Sequence, residues 1–424
     1  MAKYVIIKLF DSVNQVELID TVKGFSSMNE NIESSQKFPM RPVAPLGVIA
    51  MNGCEEMGRK VNEFLKNWQV DASSDQKLHS FYGSDKDGFL LEAHCPRFGT
   101  GEGKGMIKDT VRGYDLFIIC DVGAYQCTYK LYGHDVPMTP DEHYADLKRI
   151  IAAVSGKAYR INVIMPMLYE GRQHRRTSRE SMDCAVMLQE LVAMGVSNII
   201  TFDAHDPRVQ NAIPLSGFES IMPTYQMLKA MCHTYDDLRI DKHHMMVISP
   251  DEGALNRNIY YSSAMSVDMG MFYKRRDYSR IVNGRNPIVA HEYLGESVEG
   301  KDVFIADDII ASGESMLDIA YELKMRGARN IFTCCTFPLF TAGLEKFDKA
   351  YNDGIIKAVL GTNLTYRKPE LLEREWYYDV DVSKYTAYFI AAINHDKSVS
   401  SIIDPMTKIR TLLDKHGIPM GGEQ

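Results

Sequence analysis

The pattern of apolar and polar positions from residue 47 onward predicts short buried strands that alternate with amphipathic helices. The first half of the chain contains four strand candidates, at 47–53, 115–120, 161–165 and 198–206. A segment with helical spacing, 181–195, leads into the last of them. This alternation is typical of a mostly parallel sheet with helices on both faces.

The same pattern starts again in the second half, where the apolar runs give five more strand candidates. They lie at 245–253, 267–276, 303–308, 331–337 and 356–363. The clearest helix follows the third of them, because Met316, Ile319, Ala320 and Leu323 recur with helical spacing and Gly327 can cap the end. We therefore predict an α/β protein with two tandem domains, each built on a mostly parallel sheet flanked by helices.

The change in pattern also suggests where the domains begin and end. Residues 1–46 are predicted to be an N-terminal extension with one or two strands, the first at 4–10. The two α/β domains are predicted at 47–215 and 216–395, and a helical segment at 396–424.

Polar side chains follow the predicted strands, at the edge where open parallel sheets bind ligands. The segments are Glu170–Arg176, Asp203–His205, Pro250–Gly253, Lys274–Arg276 and Asp307–Ser315. Each has a simpler explanation on its own, as a solvated basic loop, a helix cap or a turn. Together they alternate cationic groups with metal-binding carboxylates and imidazoles, which suits a substrate with several phosphates and Mg²⁺.

The stretch VFIADDIIASGES, at 303–315, combines two features that a sugar phosphate requires. Asp307 and Asp308 stand at the end of an apolar run, where carboxylates can hold sugar hydroxyls or a metal. The small residues that follow open a helix, whose free N–H groups attract a phosphate. The alternative is that the two aspartates only end a buried strand and cap a turn.

Composition and charge exclude several classes of protein. A net charge of −8 argues against general nucleic-acid binding, which relies on clustered Lys and Arg. No apolar stretch is long enough to span a membrane, and the N-terminus lacks a signal-peptide core, so we expect a cytoplasmic protein. The eight cysteines show no CxxC spacing, which favours reduced core thiols. FGTGEGKG, at 98–105, is not a P-loop, and its glycines fit a hairpin turn or a loop that contacts a purine.

From about Gly47 to Ile403 the chain resembles the ribose-phosphate pyrophosphokinase family, which consists of paired type I phosphoribosyltransferase-like domains. The similar stretches occur in the family's order. They are FGTGE, VRGYDLFII, GRQHRR, FDAHDPRVQ, VISPDEGALNR, YKRR and VFIADDIIASGES. No single stretch is decisive, but seven in sequence are specific.

The resemblance implies a role for each matching residue. ATP contacts are implied at Phe98, Thr100, Glu102, Arg172 and Gln173. Mg²⁺ coordination is implied near His205 and Asp251, and catalytic roles for Lys274 and Arg276. The implied ribose 5-phosphate site comprises Asp307, Asp308, Ala311, Ser312, Gly313, Glu314 and Ser315, with the two aspartates on the ribose hydroxyls.

The reaction implied by this resemblance transfers the diphosphate of Mg-ATP to C1 of ribose 5-phosphate and yields phosphoribosyl pyrophosphate (PRPP) and AMP. The resemblance also implies a homo-oligomer, of hexameric type in the family. Neither nucleic acid nor a membrane is expected as a partner. The alternatives are a non-catalytic regulatory homologue and a nucleobase phosphoribosyltransferase.

The chain departs from the family's pattern at several positions. Ala311 and Thr100 stand where an aspartate is usual, and Glu314 and Ala254 stand where a glycine is usual. His174 replaces the aspartate of the RQD stretch. Glu314 matters most, because a carboxylate beside a phosphate is repulsive unless it points away.

Overall fold

The structure is a computed structural model that describes residues 42–72, 88–235, 237–276 and 288–415. The strand predicted at 4–10 and the extension up to residue 41 lie outside these ranges. The predicted α/β class is confirmed, because most described strands belong to two largely parallel sheets with helices around them.

The first sheet contains five parallel strands in the order β1-β4-β7-β8-β9. Two short antiparallel hairpins, β2–β3 and β5–β6, lie beside it. The strands of this half are β1 (Leu46–Ala50), β2 (Ala93–His94), β3 (Met106–Ile107), β4 (Asp115–Ile119), β5 (Thr128–Leu131), β6 (His134–Pro137), β7 (Arg160–Ile164), β8 (Val196–Phe202) and β9 (Gly217–Ile221). Every residue of the inner strand β4 is buried, as expected when helices cover both faces of a sheet.

The second sheet contains seven strands in the order β12-β11-β10-β13-β14-β15-β16. Its strands are β10 (Met245–Ser249), β11 (Asp268–Arg276), β12 (Ile288–Leu294), β13 (Asp302–Ile310), β14 (Ile331–Pro338), β15 (Ala358–Thr362) and β16 (Tyr377–Val380). The β11–β12 pair is antiparallel and the other pairs are parallel. The predicted strands all lie in the interior of this sheet, whereas the edge strands β12 and β16 were not predicted.

Eleven α-helices surround the two sheets in the described ranges. They are α1 (Glu55–Ala72), α2 (Pro140–Val154), α3 (Asp183–Ala193), α4 (Thr224–Thr234), α5 (Leu255–Met265), α6 (Glu314–Met325), α7 (Glu345–Asn352), α8 (Pro369–Leu372), α9 (Ser383–Asn394), α10 (Ser400–Ile403) and α11 (Met406–Lys415). A 3₁₀ helix spans Pro207–Ala212. None of these helices is long and apolar enough to cross a membrane.

Two contacts cross the division predicted at residues 215 and 216, which stays a prediction. Strand β9 pairs with β8 and forms the edge of the first sheet, although its residues were assigned to the second domain. Glu219 and Ser220 interrupt the apolar run that indicates a buried strand, so β9 was not predicted from the sequence. Helix α9 was also assigned to the second domain but packs on α1, where the Trp68 and Tyr388 rings stack with centroids 4.5 Å apart.

Candidate active site

The ends of strands from both sheets meet at one place, where β8 of the first sheet faces β13 of the second. Asp203 and His205 follow β8 directly, and Asp307 and Asp308 lie near the end of β13. The strand continues through the two aspartates to Ile310, two residues further than predicted. The segment after β8 and the aspartate pair after the apolar run are therefore neighbours in space, as their positions at strand ends predicted.

A buried arginine connects these two strand ends. Arg257 lies on α5, and its Nε is 2.9 Å from each carboxylate oxygen of Asp203. Its Nη1 is 3.4 Å from Asp307, and its Nη2 is 3.9 Å from Asp308. Thr336, at the end of β14, donates a hydrogen bond of 2.7 Å to Asp203. One guanidinium thus lies within 4 Å of three carboxyl groups, which come from the two sheets.

Asp203 adopts an unusual backbone conformation at this junction. Its φ is +43°, in the left-handed region that residues other than glycine seldom adopt. Its N–H donates a hydrogen bond of 2.8 Å to the carbonyl oxygen of Ile221, at the end of β9. Contacts on both its backbone and its side chain hold Asp203 in this strained conformation, which is a common feature of functional sites.

His205 connects the end of β8 in the first sheet to the aspartate pair of β13 in the second. Its Nδ1 lies 2.7 Å from Oδ2 of Asp308, and the other oxygen of Asp308 accepts a hydrogen bond from the N–H of Ile309. The hydrogen bond to Asp308 raises the pKa of the His205 imidazole. An Nδ1–H group that donates to a carboxylate forms a charge-assisted hydrogen bond, so this contact holds the ends of β8 and β13 together.

The pKa values of the two neighbouring aspartates are shifted in opposite directions. Burial, together with the nearby charge of Asp308, raises the pKa of Asp307. Burial also acts to raise the pKa of Asp308, but the hydrogen bond to His205 and the charge of Arg257 hold it below its usual range. The charge of the pair therefore resides mainly on Asp308.

The phosphate cradle predicted from the sequence consists of the loop at 311–313 and the first turn of α6, which lie at the end of β13. Gly313 is the N-cap of the helix, with a φ of +73°. A Cβ at this position would lie 2.3 Å from Cε2 of Phe347, so only glycine fits against α7. The Ala311 carbonyl accepts a hydrogen bond of 2.9 Å from the N–H of Thr341, which fixes the loop from the other side. The N–H groups of the first helical turn have no intrahelical acceptor and can bind an anion.

Ser312, Glu314 and Ser315 lie at this turn. The Ser312 hydroxyl accepts a hydrogen bond of 3.5 Å from the N–H of Glu314. The Glu314 carboxylate forms an ion pair with Lys346 on α7, which lowers the pKa of Glu314. Glu314 and Ser315 are both exposed. The carboxylate that replaces the usual glycine is therefore already neutralised by a lysine.

The predicted ATP-binding residues lie in two separate loops. Phe98 is 57% exposed, and the Thr100 hydroxyl donates a hydrogen bond of 2.9 Å to Glu102. This loop is attached to the β5–β6 hairpin, because Gly99 accepts a hydrogen bond from the N–H of Tyr132. Arg172 and Gln173 follow β7 instead, and the Gln173 side chain donates a hydrogen bond of 2.8 Å to the carbonyl oxygen of Ser181.

The loop at 98–102 begins beside a cavity of about 620 Å³. Arg97 lines this cavity, makes a bidentate ion pair with Asp146 at 2.6 and 2.9 Å, and lies over the Tyr129 ring. None of the predicted substrate residues lines the cavity. It is therefore separate from the groups at the ends of β8 and β13.

The predicted metal-binding residues do not form a metal centre by themselves. Asp251 follows β10, and its side chain accepts a hydrogen bond of 3.1 Å from the N–H of Ala254. His174 lies 3.6 Å from Asp206, and its ring is near that of His205. The described residues contain no group of three or more His, Cys, Asp or Glu side chains that could hold a metal ion.

Lys274 and Arg276 are among the last three residues of β11. Their backbones pair with β12, Lys274 opposite His291 and Arg276 opposite Ile288. Their side chains and residues 277–287 lie outside the described part of the structure. Their catalytic role stays a prediction.

Arg257 and Thr336 were missed as site residues in the sequence analysis. Arg257 shares a helix face with Tyr261 and Ala264, both of which are buried. A charged residue on an apolar helix face needs a buried partner, and this was the available signal. The sequence contains no comparable signal for Thr336, which is one of two threonines in a mostly apolar strand.

Comparison with protein families agrees with this arrangement. Residues 46–195 match the family model described as the N-terminal domain of ribose phosphate pyrophosphokinase. Residues 221–373 match the model of the phosphoribosyl transferase domain. The two models together match more than half of the chain. The chain belongs to the ribose-phosphate pyrophosphokinase family.

Individual relatives extend the similarity across most of the described residues. The ribose-phosphate pyrophosphokinase of Staphylococcus aureus is 26% identical over 320 residues, which cover 74% of this chain and 90% of the relative. The one from Halalkalibacterium halodurans is 25% identical over 312 residues, which cover 73% and 88%. The structure of phosphoribosylpyrophosphate synthetase from Mycobacterium smegmatis superposes with a TM-score of 0.65 at 18% identity, covering 83% of this chain and 99% of that one. The last similarity concerns the fold alone.

Proposed function

We propose that this member of the ribose-phosphate pyrophosphokinase family transfers the diphosphate of Mg-ATP to the C1 hydroxyl of ribose 5-phosphate and releases PRPP and AMP. The observation that carries the proposal is the contact between His205 and Asp308, 2.7 Å apart. It brings the segment after β8, on the proposed ATP side, next to the aspartate pair of the sugar phosphate loop. Donor and acceptor can therefore bind side by side.

On the acceptor side, Asp307 and Asp308 would accept hydrogen bonds from the ribose hydroxyls. Ser312, Gly313 and Ser315, with the free N–H groups of α6, would hold the 5-phosphate. Carboxylates and N–H donors recognise opposite ends of the same sugar phosphate, so the loop fixes its orientation. Ala311 removes a carboxylate from the cradle and lowers the repulsion of the phosphate.

On the donor side, Phe98, Thr100 and Glu102 would contact the adenine, and Arg172 and Gln173 would bind the rest of the nucleotide. In the transfer, the C1 oxygen forms a bond to the β-phosphorus while the bond from that phosphorus to the α,β-bridging oxygen breaks. AMP leaves with the bridging oxygen, and the hydroxyl proton passes to solvent. Lys274 and Arg276 would neutralise the moving diphosphate, and one such donor contributes about 2.7–4 kcal/mol in comparable sites.

The proposed metal is Mg²⁺ that arrives with ATP. Mg²⁺ usually takes one or two protein carboxylates, with phosphate oxygens and water as its other ligands. Asp251 and His205 are the proposed protein ligands, and the ion would supply charge neutralisation for the diphosphate.

The test is the formation of AMP by purified protein. We expect AMP only when Mg²⁺, ATP and ribose 5-phosphate are all present, in a one-to-one ratio with PRPP. The assay should be repeated with and without phosphate and ADP, because both are candidate regulators. A complete absence of AMP under all these conditions would contradict the proposal, and base-dependent consumption of PRPP would favour a nucleobase phosphoribosyltransferase.

We also propose a cytoplasmic homo-oligomer. The proposal follows from the family resemblance, which implies ATP sites shared between subunits, and Phe98, 57% exposed on the proposed adenine loop, would then lie near a second copy of the chain. Sedimentation of wild-type protein and Phe98→Ser, each with and without ATP, would test this assignment. A purely monomeric wild-type protein would contradict it.

A further inference from the structure

The phosphate cradle contains one residue that opposes its own ligand. Glu314 is the first residue of α6, so its side chain starts at the turn whose N–H groups would bind the 5-phosphate. The Glu314 carboxylate and the 5-phosphate would both be negatively charged, and they would repel each other with an energy that depends on their separation and on the local dielectric constant. A member of the family that keeps this carboxylate needs something to neutralise it.

The structure provides that neutralisation from a different helix. Lys346 is the second residue of α7, and its Nζ forms an ion pair with Oε1 of Glu314. Both side chains are more than half exposed, so the pair contributes little to folding stability. Its importance would therefore lie in the charge that the bound phosphate encounters.

A second contact fixes the position of the same helix. The ring of Phe347, the next residue, lies directly against Gly313, leaving no room for a Cβ there. Phe347 is fully buried and packs against Phe340 and Trp376. The start of α7 is therefore attached to the phosphate loop by a core aromatic residue, and Lys346 is held beside Glu314.

We propose that Lys346 is a positioning residue for ribose 5-phosphate, which acts by drawing the Glu314 carboxylate away from the 5-phosphate and cancelling its charge. The inference rests on the proposed function, since it assumes that the loop binds a sugar phosphate. It assigns to α7 a part in substrate affinity that acts through Glu314 and not through direct contact with the substrate.

The test is a double-mutant cycle with Lys346→Met and Glu314→Gln. We expect Lys346→Met to raise the KM for ribose 5-phosphate about tenfold with little change in kcat, because the exposed carboxylate then repels the phosphate. Glu314→Gln should lower the KM below the wild-type value, because it removes the carboxylate that opposes the phosphate. The double variant should return to within about threefold of Glu314→Gln, because the charge that Lys346 compensates is no longer present.

Lys349→Met is the matched control, because it removes the same charge one turn further along α7, on another exposed lysine. We expect it to leave the KM unchanged. If Lys346→Met costs the same factor with Gln at 314 as with Glu, the lysine acts directly on the phosphate and the proposal is overturned. An unchanged KM in Lys346→Met, or an equal loss in Lys349→Met, would also overturn it.

Binding of ribose 5-phosphate alone, measured by calorimetry, separates this inference from the proposed function. The same cycle in binding affinity is expected even when no AMP forms. Wild-type protein that forms no AMP but shows the cycle would contradict the proposed activity and support the role of Lys346. Protein that forms AMP but does not show the cycle would support the proposed activity and contradict the role of Lys346.

Discussion

Replacing Arg257 with methionine removes the guanidinium that faces Asp203, Asp307 and Asp308 while keeping most of the side-chain volume. The Arg257 side chain is 8% exposed and the Asp203 side chain is 4% exposed, so their ion pair is shielded from water. Removing one partner of a buried pair costs about 3–5 kcal/mol, because the other charge stays buried without compensation. That is a large fraction of the roughly 5–15 kcal/mol by which domains are stable.

Urea unfolding followed by tryptophan fluorescence is a suitable assay. Trp68 reports on α1 of the first half, and the buried Trp376 reports on the second sheet. At pH 7.5 we expect Arg257→Met to lower the unfolding midpoint by about 1 M or more. Lys130→Met is the control, since Lys130 pairs with Asp135 and both side chains are more than half exposed, and we expect no measurable change.

The stability lost in Arg257→Met should depend on pH, because Asp203 can take up a proton. Burial raises the pKa of Asp203, more than its contacts with Arg257 lower it, and removing Arg257 should raise it further. A carboxyl whose pKa is higher in the folded state binds its proton more tightly there, so stability increases as the pH falls through that pKa. The deficit of Arg257→Met should therefore shrink between pH 8 and pH 5. Adding Asp203→Asn should recover part of it at pH 7.5.

Two results would refute this reasoning. An Arg257→Met protein with the wild-type midpoint would mean that the three carboxylates are compensated in another way. A deficit that is independent of pH and unaffected by Asp203→Asn would mean that the loss comes from packing and not from an unpaired charge.

Three further predictions concern strand β11, the junction between the two halves and the proposed phosphate loop. Lys274→Ala should lower kcat about a hundredfold or more with little change in ribose 5-phosphate binding, and an equal loss of both would indicate a structural lysine. Burial raises the pKa of Asp121 to about 6, so wild-type stability should decline as the pH rises from about 4 to 6, and Asp121→Asn should flatten this slope in urea titrations. Gly313→Ala should raise the KM for ribose 5-phosphate, because a Cβ would collide with Phe347 at a positive φ, and an unchanged KM would show that the loop relaxes freely.

Most of the fold could be predicted because buried parallel strands appear in the sequence as apolar runs. MMVIS in β10 and IFTCCTFP in β14 are completely buried and were found without difficulty. The strand β9, with the sequence GFESI, is half-buried at a sheet edge and has no such run. The packing of α9 on α1 depends on contacts between residues more than 300 positions apart, such as Lys60 and Asp381 near their ends. Spacing along the chain carries no information about such contacts.

The candidate site also contains residues that could be predicted from the sequence and residues that could not. Polar residues at strand ends, such as Asp307 and His205, were found because the topology of an open sheet places them together. Arg257 lies in a helix, 54 positions from Asp203, and only the folded chain shows that they meet. The ion pair between Lys346 and Glu314 could not be predicted for the same reason. The sequence showed only that a carboxylate at position 314 would repel a bound phosphate.

The two halves of the protein are connected at the site by buried polar groups that are costly to separate. Asp203 meets Arg257 and Thr336 of the second half, and Asp121 accepts a hydrogen bond of 2.9 Å from Thr365 in the loop after β15. Pulling these groups apart without solvating them would leave buried carboxylates unpaired. The strained backbone of Asp203 is kept for the same reason, because contacts from both halves determine it. The chain's own polar groups therefore fix the end of β8 against the ends of β13 and β14, and the proposed in-line transfer would require such pre-organisation.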